Sequence, residues 1–417
     1  VKSNYTKNRW HFPIVVGLII LTLTIIRLTS TDENILTETL PGPVPMEKQL
    51  GHDPGLLSAW QHDFSQDIDA ADEHDGVRLH VQQMIADELR MAILYSMKST
   101  TEDRKFVITD LKLTNEKGES LQASYTYGNP DNITDQRVED MVEITFAEGA
   151  ELPRALTLTF TAMISGTGDR SLPSVEATKS FTVTFPVNQE QFKGKKREFP
   201  INQSITMAGQ AITVRGVTMY PTKTAVKIIY DPKNTHKIFG IDNLRLVSDD
   251  GKAWKSTEGV TITQLEDDHV IYYLDSAYFS ASEQIRIVAD GIRAVRKDQL
   301  DVLLDVQSKK LLKAPDDSIS LEEFEITDDK ATITFTVKED DRNTPGNPTA
   351  HLFFSSFTDN LGNHFQATEH IYQGRKDDAV IGFTLEKYTF DPNRTFLRLR
   401  LSDYPQRLHG DFSIPLR

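Results

Sequence analysis

Leu79-His80-Val81-Gln82-Gln83-Met84, followed by Ile93-Leu94-Tyr95-Ser96-Met97, decides the fold, because its six apolar positions recur twice more at unchanged spacing. Leu79, Val81, Met84, Ile93, Tyr95 and Met97 return 133 residues on as Ile212, Val214, Val217, Val226, Ile228 and Tyr230. They return again, 107 residues further, as Ile319, Leu321, Phe324, Ile333, Phe335 and Val337. The first two copies stay in step through Leu111, Leu113, Gly118 and Leu121, matched by Leu244, Leu246, Gly251 and Trp254. Alternation at i, i+2 is the strand period. Three copies of one all-β unit in series follow, an arrangement that holds, spaces or senses more often than it catalyses.

Within the second copy the pattern predicts strands over Ile205 to Val217, Ala225 to Tyr230 and Asp242 to Val247. Later strands are expected over Ala155 to Ile164, Gln284 to Val288 and Phe396 to Leu401. Asn115-Glu116-Lys117-Gly118 and Ser248-Asp249-Asp250-Gly251 read as turns, where glycine takes the positive φ that a side chain resists. The third copy places Asp359-Asn360-Leu361-Gly362 there, displaced by an insertion around Asp340 to Pro348. Many short strands and few helices predict tandem immunoglobulin-like β-sandwiches behind one N-terminal transmembrane helix. Tyr95, Tyr230 and Phe335 read as core side chains.

The expected boundaries are a cytoplasmic stub at 1–11, a span at 12–28 and an extracytoplasmic spacer at 29–52. A first sandwich with an N-terminal amphipathic helix follows at 53–187, then immunoglobulin-like domains at 198–304 and 316–417. Phe12 to Ile26 is apolar enough to serve as a short membrane helix with Arg27 snorkelling. A secretory signal can be equally short, but Arg27-Leu28-Thr29-Ser30-Thr31 lacks the usual small-residue cleavage pattern, which favours a retained anchor. Basic residues before the span put the N-terminus in the cytoplasm and the bulk outside the cell membrane. Leu40-Pro41-Gly42-Pro43-Val44-Pro45 favours a stiff, extended spacer.

The 417 residues carry a formal charge of −15 and no cysteine. Disulfides, thiolate zinc sites and thiol nucleophiles are thereby excluded. After Arg27 the balance is 42 basic to 61 acidic side chains, which argues against nucleic acid and anionic lipid as partners of the body.

Asp53 and Pro54 read as the N-cap and first residue of a helix whose stripe is Leu56, Leu57, Trp60 and Phe64. That stripe packs on the first sandwich or couples it to the membrane. Asp63, Asp67, Asp69, Asp72, Glu73 and Asp75 form the densest acidic stretch. A calcium loop of the EF-hand type fails there, because Ala71 and Asp72 hold its fifth and sixth positions, and a solvated linker is expected. The basic joint Lys193, Lys195, Lys196 and Arg197 reads as solvated too, with an acidic wall polymer as its alternative contact.

Gly166-Thr167-Gly168 lacks the third glycine of a dinucleotide loop, and no phosphate loop, zinc-protease or serine-hydrolase motif occurs. His351, His364, Glu369 and His370 are the best metal-like group, yet nothing in their spacing makes them converge. No residue is nominated as catalytic, cofactor-binding or metal-ligating, no cofactor is expected, and the chain is not expected to be an enzyme.

Gly55-Leu56-Leu57-Ser58-Ala59-Trp60, Gly76-Val77-Arg78-Leu79, Ala86-Asp87-Glu88-Leu89-Arg90-Met91 and Tyr95-Ser96 together resemble the bacterial domain-of-unknown-function family four-one-seven-nine. Tyr220-Pro221-Thr222-Lys223-Thr224, Tyr230-Asp231-Pro232 and Ile238-Phe239-Gly240-Ile241-Asp242-Asn243-Leu244 resemble the immunoglobulin-like domain often found behind it. The resemblance implies a single-pass envelope protein of Gram-positive bacteria, an anti-sigma-factor-like regulator or an accessory of extracytoplasmic-function sigma signalling. The expected function is therefore a membrane-anchored sensor or regulatory ectodomain with a protein partner. The alternative is a structural spacer or a binder of cell-wall polymer.

Overall fold

In the computed structural model each of the three repeats forms an antiparallel pair of strands, and all three share one register. Leu79 faces Met97, Val81 faces Tyr95 and Met84 faces Ile93. Ile212 faces Tyr230, Val214 faces Ile228 and Val217 faces Val226. Ile319 faces Val337, Leu321 faces Phe335 and Phe324 faces Ile333. Every copy slips register at the same place, after Val81, Val214 or Leu321. The interval of two and then three residues in the sequence is thus a β-bulge, whose extra residue returns the next apolar side chain to the inner face. Of the eighteen repeat positions only Leu321 is not fully buried.

The structure describes residues 45–100, 105–121, 123–127, 137–147, 149–165, 175–256, 261–266, 268–282, 284–327, 330–338, 352–375, 378–386, 388 and 391–417. Phe12 to Ile26, Gly166 to Gly168, the insertion at 340–348 and His351 lie outside them. Among the described residues no helix is long and apolar enough to cross a membrane.

The chain is all-β, with sheets arranged around three cores. The first module sets a sheet ordered Gln66–His74, Val77–Ala86, Arg90–Ser99, Arg137–Phe146, Ala123–Tyr127 against one ordered Lys105–Asn115, Ala155–Ser165, Val175–Pro186. Tyr95 from one sheet and Phe160 from the other meet with ring centroids 4.7 Å apart. In the second module the corresponding sheet runs Arg197–Met207, Gln210–Met219, Lys223–Tyr230, His269–Asp275, Thr261–Glu266. Its opposing sheet centres on Ile285–Arg296. The third module is one eight-stranded sheet whose two halves join, among the described residues, through Ser356 to Thr358 paired with His364 to Gln366. Both halves contribute to one core, with Phe357 stacked on Phe383 at 4.3 Å between centroids.

The glycine turn recurs three times with the same closing bond, Gly118 N–H to the Asn115 carbonyl, Gly251 to Ser248 and Gly362 to Asp359. All three glycines have φ between 76° and 85°. Other expectations are corrected. Ile205 to Val217 is not one strand: Ala208 and Gly209, with φ of 49° and 75°, turn the chain between Arg197–Met207 and Gln210–Met219. The acidic stretch is not a linker, since most of it forms the edge strand Gln66–His74, where outward charges blunt an open edge. The spacer drawn to residue 52 already contains the helix Met46–Leu50, and Leu50 is buried in the first core.

The joints carry structure as well. Asn188 caps the short helix Gln189–Phe192 between the first two modules. Asp301–Asp305 and Lys310–Lys313 both belong to the third sheet, so the boundary expected at residue 304 falls inside a strand of the third module. The segment 316–417 does not close on itself either. Its last strand, Arg407–Pro415, leaves the third module and pairs with Ile285–Arg296 of the second.

Candidate coupling site between the first two modules

Asp53 caps the helix Pro54–Gln61 by accepting the Leu56 N–H, and Pro54 stands at its first turn, as the sequence predicts. The helix buries Leu56 and Ala59 in the first core, with Leu57 and Trp60 packed alongside. Its cap also faces the second module. At Gly55 a Cβ would stand 1.9 Å from the Thr222 carbonyl oxygen, so only glycine lets the helix come this close.

Arg90 fills the space behind that contact. Its Nη1 donates to Asp53 Oδ2 at 2.6 Å and to Glu143 Oε1 at 3.2 Å. Nη2 donates to Asp53 Oδ1 at 3.0 Å and to the Thr222 carbonyl at 3.0 Å, and Nε donates to Thr222 Oγ1 at 2.9 Å. All five N–H groups of a guanidinium are therefore engaged. Burial opposes the charge on Arg90, and Asp53, Glu143 and Asp87 more than restore it, holding its pKa above the ordinary value. Burial likewise works to raise the Asp53 carboxyl, but Arg90, Lys223 and the Leu56 N–H together hold it below the usual range.

Asp87 completes the knot. Fully buried, it accepts the Leu89 and Arg90 N–H groups through Oδ1 and the Thr222 N–H and hydroxyl through Oδ2, at 2.7 to 3.0 Å. Burial pushes its carboxyl up, and those four bonds only partly offset the push.

A hydrophobic seam runs beside the knot. His62 stacks on Phe279 at 4.5 Å, and Phe64 meets both Phe279 and Phe192 edge-on. Half of the basic joint is engaged, while Lys193 and Lys195 are exposed as expected. Lys196 pairs with Glu88 at 3.0 Å and Glu198 at 3.2 Å, and Arg197 Nη2 donates to the Ala277 and Tyr278 carbonyls.

Every guanidinium donor and both oxygens of Asp53 and of Asp87 are used. The chemistry of the site is mechanical: it fixes two modules against each other. Leu56, Leu57 and Trp60 of the expected stripe lie on the helix, whereas Phe64 lies beyond its end at Gln61; Arg90, Asp87 and Thr222 were not nominated, because Thr222 stands 132 residues from Arg90 and 135 from Asp87. The Asp-Pro cap signal was the available clue, and it points only to the helix.

Of the metal-like group, His351 lies outside the described residues. His364, Glu369 and His370 lie exposed along one strand, His364–Gly374, and among the described residues no three His, Cys, Asp or Glu side chains gather to hold an ion.

Residues 196–311 match a family of unknown function (DUF5643). The match takes in Tyr220 to Leu244, the stretch whose resemblance suggested an immunoglobulin-like domain. No curated protein matches the chain. Among solved structures, the conserved domain protein from Bacillus anthracis is similar at 16% identity and a TM-score of 0.37, over 60% of this chain and 84% of its own.

Proposed function

We propose that this chain is the extracytoplasmic part of a single-pass membrane protein, a non-enzymatic sensor or regulatory ectodomain built from immunoglobulin-like modules. The proposal keeps the likeness of Gly55 to Ser96 to family four-one-seven-nine and, with it, an anti-sigma-factor-like or accessory role. The observation that carries it is the saturated knot around Arg90. An ectodomain that relays an outside event through one short helix needs its modules to move together, because a loose linker between them would absorb the displacement. Phe12 to Ile26 supplies the anchor in this reading.

Cross-linking in intact cells tests it: capture of a membrane or sigma-linked protein partner is the expected result. A second reading, an envelope spacer or wall-polymer binder, draws on the same stiffness. Recovery of wall polymer alone would select that reading over the first.

A further inference from the structure

The second core is closed by a strand that arrives from beyond the third module. Arg286 faces Pro415, Val288 faces Ser413 and Arg293 faces Arg407, and the pairing runs on at both ends through Leu416 N–H to the Ile285 carbonyl and Ala294 N–H to the Gln406 carbonyl. Phe412, Ile414 and Leu416 are buried in the second core beside Ile287, Ala289 and Ile292. Two glycines let the strand seat. A Cβ on Gly291 would meet the Leu408 carbonyl at 2.8 Å, and one on Gly410 would meet the Met207 side chain at 2.8 Å.

The family match stops at residue 311 and so contains the whole receiving edge but not the strand that covers it. The covering strand enters through Ser402 to Gln406, where Arg293 Nη1 grips both oxygens of Asp403 at 2.8 and 2.9 Å. Asp242 stands 3.9 Å from Arg293 and 3.8 Å from Arg407.

We propose that the edge of Ile285–Arg296 is a strand-acceptor site and that Arg407–Pro415 is its built-in occupant. The matched domain is one strand short by itself, and its open edge takes an extended polypeptide with large apolar side chains at alternate positions, as strand addition requires. The inference rests on strand pairing and burial, independent of the sensor reading.

Two experiments test it. Val288→Cys combined with Ser413→Cys, in a full chain with no other cysteine, places two thiols at facing positions. Mild oxidation should give an intrachain cross-link and a monomer on a non-reducing gel. A cross-linked dimer would mean that a second copy fills the edge, and would overturn occupancy in cis.

The second experiment ends the chain after Gln406 and follows amide exchange over Ile287 to Ile292. Protection there should fall at least about tenfold. A synthetic peptide of residues 405–417 should restore it, while the same peptide with Phe412, Ile414 and Leu416 changed to Ser should not. Unchanged protection after truncation, or equal rescue by both peptides, would overturn the proposal. If truncation abolishes folding, full-length Ile414→Ser should take up a labelled native peptide that the unaltered chain excludes, and failure to take it up overturns the proposal equally.

Discussion

Of the buried arginines among the described residues, Arg90 and Arg293 join modules, and they are finished to different degrees. Arg90 has all five donors engaged, two of them on one carboxylate held below its ordinary pKa. Arg293 has one bidentate partner, Asp403, and stands at ion-pair but not hydrogen-bond distance from Asp242. Burial raises both of those carboxyls, and Arg293, with Arg407 at Asp242, only partly pulls them back. A charge buried with complete partners resists change, because every lost bond leaves a desolvated group behind. The joint of the first two modules is therefore the fixed one. The joint at the last strand is the one with slack.

Removing each arginine should expose the difference. Arg90→Met leaves Asp53 charged and buried and should cost about 3–5 kcal/mol in denaturant unfolding. Arg293→Met, which removes fewer hydrogen bonds, should cost less, about 1–3 kcal/mol. Equal losses would erase the distinction. Gly55→Ala forces a methyl into the Thr222 carbonyl and should cost about 1–3 kcal/mol by overpacking. It should also lower exchange protection on both sides of that joint, whereas a purely local effect would stay within the helix.

Acid sharpens the contrast between Asp53 and Asp403, whose contributions have opposite slopes; Asp87, with its raised carboxyl, adds a slope of the same sign as Asp403 at the first joint. The folded pKa of Asp53 lies below 3.8, so its contribution is present above the unfolded value and is lost as pH falls through the folded one. The folded pKa of Asp403 lies above 3.8, so the folded state holds the extra proton and stability declines as pH rises from 3.8 through the folded value. Asp53→Asn should flatten the acid loss, and Asp403→Asn should remove the opposing slope, both read from stability against pH. The smallest effect belongs to Lys196→Ala. It breaks partly exposed pairs at the first joint and should cost only about 0.5 kcal/mol by the same unfolding assay.

The strands of the three repeats were legible because burial is periodic, and the interval from Val81 to Met84 already held the bulge, since an odd step in a strand must be absorbed somewhere. The turn at Ala208 and Gly209 was hidden by continuous β-forming residues on both sides, and alanine carries no turn signal of its own. Arg90, Asp87 and Thr222 were beyond reach for a different reason. A buried ion pair leaves no local pattern, and in sequence Arg90 looks like any surface arginine between Leu89 and Met91. The return of Arg407–Pro415 to the second module was equally hidden, because alternation says which side chains turn inward but not which core receives them.

That return also sets an order of events during synthesis. The strand Ile285–Arg296 leaves the ribosome with its outer edge bare, and the segment that covers it follows only after the third module has been made. At about 5–20 residues per second the wait is on the order of 5–20 seconds. For that interval Ile287 and Ile292 border an uncovered edge, and an unrelated strand nearby competes for it with the chain's own last segment. Phe412, Ile414 and Leu416 thus complete a core begun some two hundred positions earlier.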